Sequence, residues 1–178
     1  MNLSFVDVET TGVSAKSDRI IEIGIIRVEK GNVVAKYNQL INPEVLVPEF
    51  IQNMTGITDD GLEGKPTFRD VKDEVSELLN DSIFVAHNVG FDHGFISHEF
   101  EREGMTRQWS RLCTVQLSRR LYPQYRRHNL DSIINRFGFN CDNRHRAYDD
   151  ASILWNFYQR ISSEFSLDVI NEMISSNR

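Results

Sequence analysis

The stretch FVDVETTG, residues 5–12, sets two carboxylates two positions apart inside a run that is otherwise apolar or β-prone. In a strand alternate side chains share a face, so Leu3, Phe5, Asp7 and Glu9 project together. That spacing holds the two acids roughly 6.5–7 Å apart along the strand. Like charges so placed repel, and burial beside Phe5 adds to the cost. A cation lying across them would remove it.

Two further stretches send acids the same way. In AHNVGFDHGFISHEF, residues 86–100, Phe91, Phe95, Ile96 and Phe100 form an apolar stripe at helical spacing. Asp92 falls within roughly 10–20° of the stripe's centre. A first-turn acid also gains from the helix dipole, but for that purpose it need not face the sheet. Glu99 falls on the same side, so wheel position alone does not make a ligand. In HRAYDDASILWNFYQRI, residues 145–161, the buried stripe is Ile153, Leu154, Phe157, Tyr158 and Ile161. Asp150 lies near its centre, and Asp149 is turned away by about 100°. Asp150 is therefore the sheet-facing acid and Asp149 the capping or solvent-side one. His145 in one continuous helix would splay from Asp150 by about 140°, which places it on the loop leading into the helix.

Asp7, Glu9, Asp92 and Asp150 thus converge. Acidic oxygen ligands without cysteines favour Mg²⁺ or Mn²⁺ over structural zinc. Two such ions about 3.5–4 Å apart would offset four negative charges, activate a water and stabilise the leaving oxygen of a phosphodiester. An imidazole titrates close to neutrality, so His145 is suited to take the water's proton.

The elements that must position these groups are legible in outline. Ile20–Glu29 and Val33–Ile41 read as strands joined at Lys30-Gly31-Asn32, a hairpin continuing the first strand. A short helix is predicted over Val47–Met54, and a longer one from Thr67 through Leu79. Ser82–Ala86 reads as a short, fully apolar strand in the middle of a sheet. Helices are predicted over Asp92–Glu103, Thr114–Leu121, Leu130–Phe137 and Asp149–Ser163, with a last one near Leu167–Ser175. Strands first, then strand–helix alternation, give an α/β fold with a mixed sheet flanked by helices.

The chain has 178 residues, 40% of them hydrophobic and 26% charged, which suits one domain (1–178) with a substantial core. It shows neither a membrane-length apolar run nor a secretory leader, and Cys113 and Cys141 lack metal-ligand spacing. A cytoplasmic protein with reduced thiols is the expectation. The net charge of −6 is unevenly spread. Residues 105–146 hold nine arginines against Asp131 and Asp142, a net +7, which leaves −13 elsewhere. Arg126, Arg127 and His128, with tyrosines beside them, are candidates to track a nucleic-acid strand behind its end. A solvated helix face would give the same composition.

FVDVETTG, HNVGFD and HRAYDD, in this order, resemble the three motifs of the DEDDh (DnaQ-like) family of 3′–5′ exonucleases. This group includes the proofreading epsilon subunit of bacterial DNA polymerase III. His145 and Asp150 match the family's His-x4-Asp. The sister group uses Tyr-x3-Asp, but here Tyr148 is two residues before Asp150 and Arg146 occupies the required position. GKPTF and RRLYPQYRRHNLDSIINRFGF also look family-like, so the likeness spans nearly the whole chain. One motif would be weak; three in sequence are specific.

The resemblance implies a ribonuclease H-like fold, with Asp7, Glu9, Asp92 and Asp150 as ligands of two divalent cations and His145 as general base. It implies that Thr10, Thr11 and Gly12 approach the terminal nucleotide, that Phe50, Met54 and Thr55 border its pocket, and that Asn88 and Phe91 of the second motif contact substrate. The expected activity is hydrolysis of single-stranded nucleic acid, DNA by expectation, from its 3′ end. Nucleoside 5′-monophosphates would be released, in proofreading or repair and with a polymerase or repair complex as partner. The chain could be free-standing or a domain of a longer polypeptide. Two alternatives stay open: an RNA-directed exoribonuclease, and a catalytically silent nucleic-acid-binding module on the same fold. All five chemical positions are filled, which disfavours the second.

Overall fold

The computed structural model describes residues 1–174. Five strands form one mixed sheet in the order β3-β2-β1-β4-β5. They are β1 (Asn2–Thr10), β2 (Ile20–Glu29), β3 (Asn32–Leu40), β4 (Ile83–Ala86) and β5 (Arg111–Cys113). β1, β2 and β3 pair antiparallel; β4 pairs parallel with both β1 and β5. The β2–β3 turn has Lys30 at φ 50° and Gly31 at φ 83°, the left-handed pair that a two-residue hairpin turn needs.

The helices are α1 (Glu49–Thr55), α2 (Asp59–Leu62), α3 (Phe68–Leu79), α4 (Gly90–Arg102), α5 (Thr114–Leu121), α6 (Leu130–Phe137), α7 (Ala147–Glu164) and α8 (Leu167–Asn171). Local chemistry marks several of their ends. Thr67 and Asp70 form a reciprocal capping box at α3. Asn129 caps α6, and left-handed Gly138 ends it. Ser175, the expected end of the last helix, lies outside the described residues.

Strand alternation divides β1 between two cores. Leu3 and Phe5 pack with α5, α6 and α7 on one side of the sheet, whereas Val6 and Val8 pack with α3 and α4 on the other. The rings of Trp155 and Tyr158, at 5.4 and 5.5 Å from that of Phe5, press α7 onto β1. β1 and β4 pair only over Leu3–Phe5 and Ile83–Val85. Beyond that ladder Asp7 and Glu9 stand at the carboxyl end of a parallel pair, where open α/β sheets place their ligand crevices.

Candidate active site

Three packing devices bring the acids together. The first is Gly24, which faces Asp7 across the β1–β2 ladder. A Cβ at Gly24 would lie 2.3 Å from the carbonyl carbon and oxygen of Ala147 and 2.4 Å from the nitrogen of Tyr148. The bare glycine therefore lets the first turn of α7 rest on the sheet, carrying Asp150 toward β1. The second is Glu22, paired in register with Glu9 and fully buried. Its carboxylate accepts from Arg146 Nη2 at 2.6 Å and from the Ala147 N–H at 2.9 Å, fixing the residues that follow His145. The third is Asp92 itself, whose Oδ1 accepts the Val8 N–H at 3.2 Å and ties α4 to β1 between the two strand acids. The β1–β2 register slips between Glu9 and Thr10, so the strand bends where it leaves the acids.

Glu9, His145 and Asp150 each offer a ligand atom, and these atoms all lie within 4.8 Å of one another. Glu9, Asp92 and Asp150 are buried, Asp7 and His145 half-buried. His145 sits at φ 62° on the loop before α7, as its offset from Asp150 requires. Asp150 is 4% exposed, whereas Asp149 is half-buried and accepts a long bond from Asn143 Nδ2 at 3.4 Å.

The electrostatics are those of anions short of a cation. Burial raises Asp7 well above the carboxylate range, and the charges of Asp92, Asp150 and Glu9 raise it further. Burial, followed by Asp150, Glu22 and Asp92, pushes Glu9 up to about 8; burial pushes Asp92 to about 8, with Asp150 adding to it. Burial also raises Asp150, against the opposing pull of Arg144. Arg144 is the internal counter-charge: it bonds Asp131 of α6 at 2.6 Å through Nε and holds Asp150 Oδ2 through Nη1. Among the described residues Asp150 Oδ1 is buried with no hydrogen-bond partner. An orphaned carboxylate oxygen, in reach of Glu9 and His145 and backed by two more raised acids, fits a divalent cation.

The expected substrate contacts occupy different settings. Thr10 and Thr11 are buried in the turn after Glu9, where Thr10 Oγ1 donates to the Gly12 carbonyl at 2.6 Å. Phe50 and Met54 are 65% and 47% exposed on one face of α1, apolar groups held at the surface. Thr55 is buried at the end of α1, its hydroxyl donating to Ile51 O at 2.9 Å and accepting from the Ile57 N–H at 3.1 Å. Asn88 is exposed at φ 67°, and Phe91 packs on Phe95 with ring centroids 4.9 Å apart. Arg126 and Arg127 are exposed, without an ion pair among the described residues, along a cavity of about 650 Å³ that Tyr125 and Arg136 also line. His128 spends its ring nitrogens on Ser118 Oγ at 2.8 Å and the Tyr125 carbonyl at 2.9 Å, which makes it a brace for that loop. Glu22, Gly24, Arg144 and Arg146 were not anticipated. The buried acid Glu22 within an apolar strand was the one signal that could have found its pair.

A family model described as an exonuclease matches residues 4–158. The PolC-type DNA polymerase III of Clostridium perfringens is 36% identical over 178 residues, covering 96% of this chain and 12% of that protein. The chain thus spans about an eighth of the length of the curated relatives it matches. Among solved structures, E. coli exonuclease I in complex with a dT13 oligonucleotide superposes with TM-score 0.81 at 19% identity, covering 91% of this chain and 41% of that one. The nuclease domain of 3′hExo, a DEDDh family member bound to rAMP, gives 0.78 at 16%, covering 99% and 96%. These likenesses place the fold among ribonuclease H-like exonucleases.

Proposed function

The chain belongs to the DEDDh exonuclease family and is a 3′–5′ exonuclease domain, and from that premise we propose that it removes nucleotides from the 3′ ends of single-stranded DNA. The observation that carries the reading is the meeting of Glu9, His145 and Asp150 beside Asp7 and Asp92, with a buried carboxylate oxygen left open. Family members use divalent metal ions. Here Asp7, Glu9, Asp92 and Asp150 would hold two, Mg²⁺ or Mn²⁺. When bound, the ions supply acidity to the attacking water and neutralise charge on the phosphate.

The chain's own groups do the rest. His145 accepts the proton of the water whose oxygen attacks phosphorus, and the bond from phosphorus to the 3′ oxygen of the preceding nucleotide breaks. The products are a nucleoside 5′-monophosphate and a strand with a new 3′-hydroxyl. Thr10, Thr11 and Gly12 lie next to Glu9 and would meet the terminal nucleotide. Phe50 and Met54 would offer an apolar face to its base, with Asn88 and Phe91 beside the second motif. Arg126 and Arg127 would follow the strand's phosphates. The 36% identity to a DNA polymerase III supports proofreading as the role and a polymerase as the partner. No helix among the described residues is long and apolar enough to cross a membrane.

The test is digestion of 5′-labelled single-stranded DNA and RNA of equal sequence with Mg²⁺ or Mn²⁺. Stepwise shortening from the 3′ end, faster on DNA, is expected. Faster RNA degradation would transfer the reading to an exoribonuclease, and binding without cleavage would leave only a nucleic-acid-binding module.

A further inference from the structure

The mechanism uses the acids at the amino end of α4 and the carboxyl end of β1. One buried acid on α4 is left over. Glu99 is 1% exposed, two turns along the helix from Asp92, and it binds neither the acid cluster nor a candidate metal ligand. Its Oε1 accepts from Arg19 Nε at 2.9 Å, and Arg102 Nη1 reaches the same oxygen at 3.0 Å. Its Oε2 accepts from Arg19 Nη2 at 3.2 Å, and the Ile20 N–H points at Oε1 at 3.3 Å. Two guanidinium groups thus enclose this buried carboxylate, so removing either leaves buried charge less well paired.

Both arginines hold the segment that follows the catalytic strand. The backbone N–H of Arg19 donates to Thr11 Oγ1 at 3.0 Å, and its carbonyl accepts the Thr11 N–H at 2.9 Å. Arg102 Nη2 reaches the carbonyls of Ala15, Lys16 and Asp18 at 2.9, 3.0 and 3.2 Å. Asp18 in turn accepts the Ser14 N–H at 2.8 Å, and its carboxylate fills the space that a Cβ on Gly12 would need, 2.4 Å from Oδ2. Apart from the Arg102–Glu99 pair within α4, every bond in this set runs between α4 and the segment 11–20, or within that segment. Val13, at its tip, is 86% exposed, while Ala15 rests against the core beside α4, the same helix that supplies the bonds.

We infer that Glu99, acting through Arg19 and Arg102, is a positioning residue that sets the Thr11–Gly12 turn against the 3′-terminal nucleotide. The inference rests on the reading of that turn as a nucleotide contact. Asp92 and Glu99 make α4 a ruler with two marks: one aligns an acid with β1, the other aligns the loop beside it. A loop displaced by even a fraction of an ångström would cost binding of the terminal nucleotide, while the acid cluster and His145 kept their places.

The experiment compares wild type, Arg102→Ala and Glu99→Gln in steady-state hydrolysis of single-stranded DNA, with amide hydrogen exchange across residues 11–19. Arg102→Ala is the main arm, because Arg102 is partly solvent-exposed and its loss leaves the Glu99–Arg19 pair in place. The expected result is KM raised roughly tenfold with kcat within about threefold of wild type, and faster exchange at the Thr11 and Asp18 amides. Glu99→Gln should move both readouts further in the same direction. Unchanged KM together with unchanged exchange overturns the clamp, as does a parallel fall in kcat with KM constant. If wild type itself released no nucleotides, the reading of the site would fail instead. Exchange at residues 11–19 would still decide whether Glu99 holds the loop.

Discussion

Glu22 and Arg146 meet across the sheet, 124 residues apart in the chain, with Nη2 2.6 Å from Oε1 and the neighbouring Ala147 N–H 2.9 Å from Oε2. Glu22 also sits opposite Glu9 in the β1–β2 ladder. One buried carboxylate therefore fixes the start of α7 relative to the strand that carries two of the acids. Arg146 directly follows His145, so the pair determines where the proposed base begins.

Glu22→Gln is accordingly expected to lower kcat by roughly 10–100-fold with KM little changed, the usual cost of losing a partner that orients a functional group. The glutamine can still accept from Ala147 but loses the charged fork to Arg146. Steady-state kinetics on single-stranded DNA decide it; a wild-type kcat would show that His145 is placed by something else.

Gly24→Ala tests the contact that seats α7. The added methyl group would meet the Ala147 backbone at 2.3 Å, and a backbone atom cannot swing aside as a side-chain end can. A loss of about 1–3 kcal/mol in unfolding free energy is expected, the usual range for overpacking. Activity should fall further than stability explains, because Asp150 moves with the helix. Chemical denaturation and turnover measured together check this; a variant of normal stability and rate contradicts it.

The neighbouring acids of α7 separate by role. Asp150→Asn should abolish most activity and weaken Mn²⁺ binding, since the residue supplies an open buried oxygen. Asp149→Asn should leave both near wild type, since its carboxylate accepts only a long bond from Asn143 among the described residues. Calorimetric Mn²⁺ titration of the two variants gives the comparison. The reverse ranking would mean that Asp149 is the ligand.

Helix phase alone distinguished these two aspartates, and several boundaries were equally legible. α5 and α6 run over Thr114–Leu121 and Leu130–Phe137 as their periodicity predicts, with Asn129 and Gly138 marking the second. β5 was missed because three residues carry no alternation to read, and α2 because a four-residue turn carries no stripe. Glu99 looked on the helical wheel like a rival of Asp92, and its pairing with Arg19 spans 80 residues that no local pattern reports. The same holds for Gly24, whose meaning depends on a backbone more than a hundred residues away. The hydrogen bonds by which Thr55 closes α1 are likewise a matter of local geometry that its residue type alone does not report.

The acid cluster makes the stability of the metal-free protein fall with pH. Glu9 and Asp92 titrate near 8 when folded, against ordinary values of 4.5 and 3.8. A carboxyl with a raised folded pKa stabilises the native state below its unfolded value, and that contribution is lost as pH rises through the folded value. His93, buried against Phe84 and Trp109 and held at about 4 against 6.5, works in the other direction: it costs stability as pH falls below 6.5. Between pH 6.5 and 8 the carboxyl effect is therefore unopposed by His93. In chelator, stability should drop across that window by up to about 1.4 kcal/mol per pH unit for each such carboxyl, and saturating Mg²⁺ should flatten the slope. A flat profile in chelator would mean that burial and the neighbouring charges do not raise these acids.

The most direct measurement follows 5′-labelled single-stranded DNA with purified protein in excess chelator and again after Mg²⁺ is restored, alongside His145→Ala. The proposed holding of divalent cations by Asp7, Glu9, Asp92 and Asp150 predicts no cleavage in chelator and a ladder shortening from the 3′ end, with 5′-monophosphates released, on restoration. His145→Ala should be slower by roughly 10²–10⁴-fold while still binding Mn²⁺. Undiminished hydrolysis in excess chelator, or a His145→Ala variant as fast as wild type, would contradict the account.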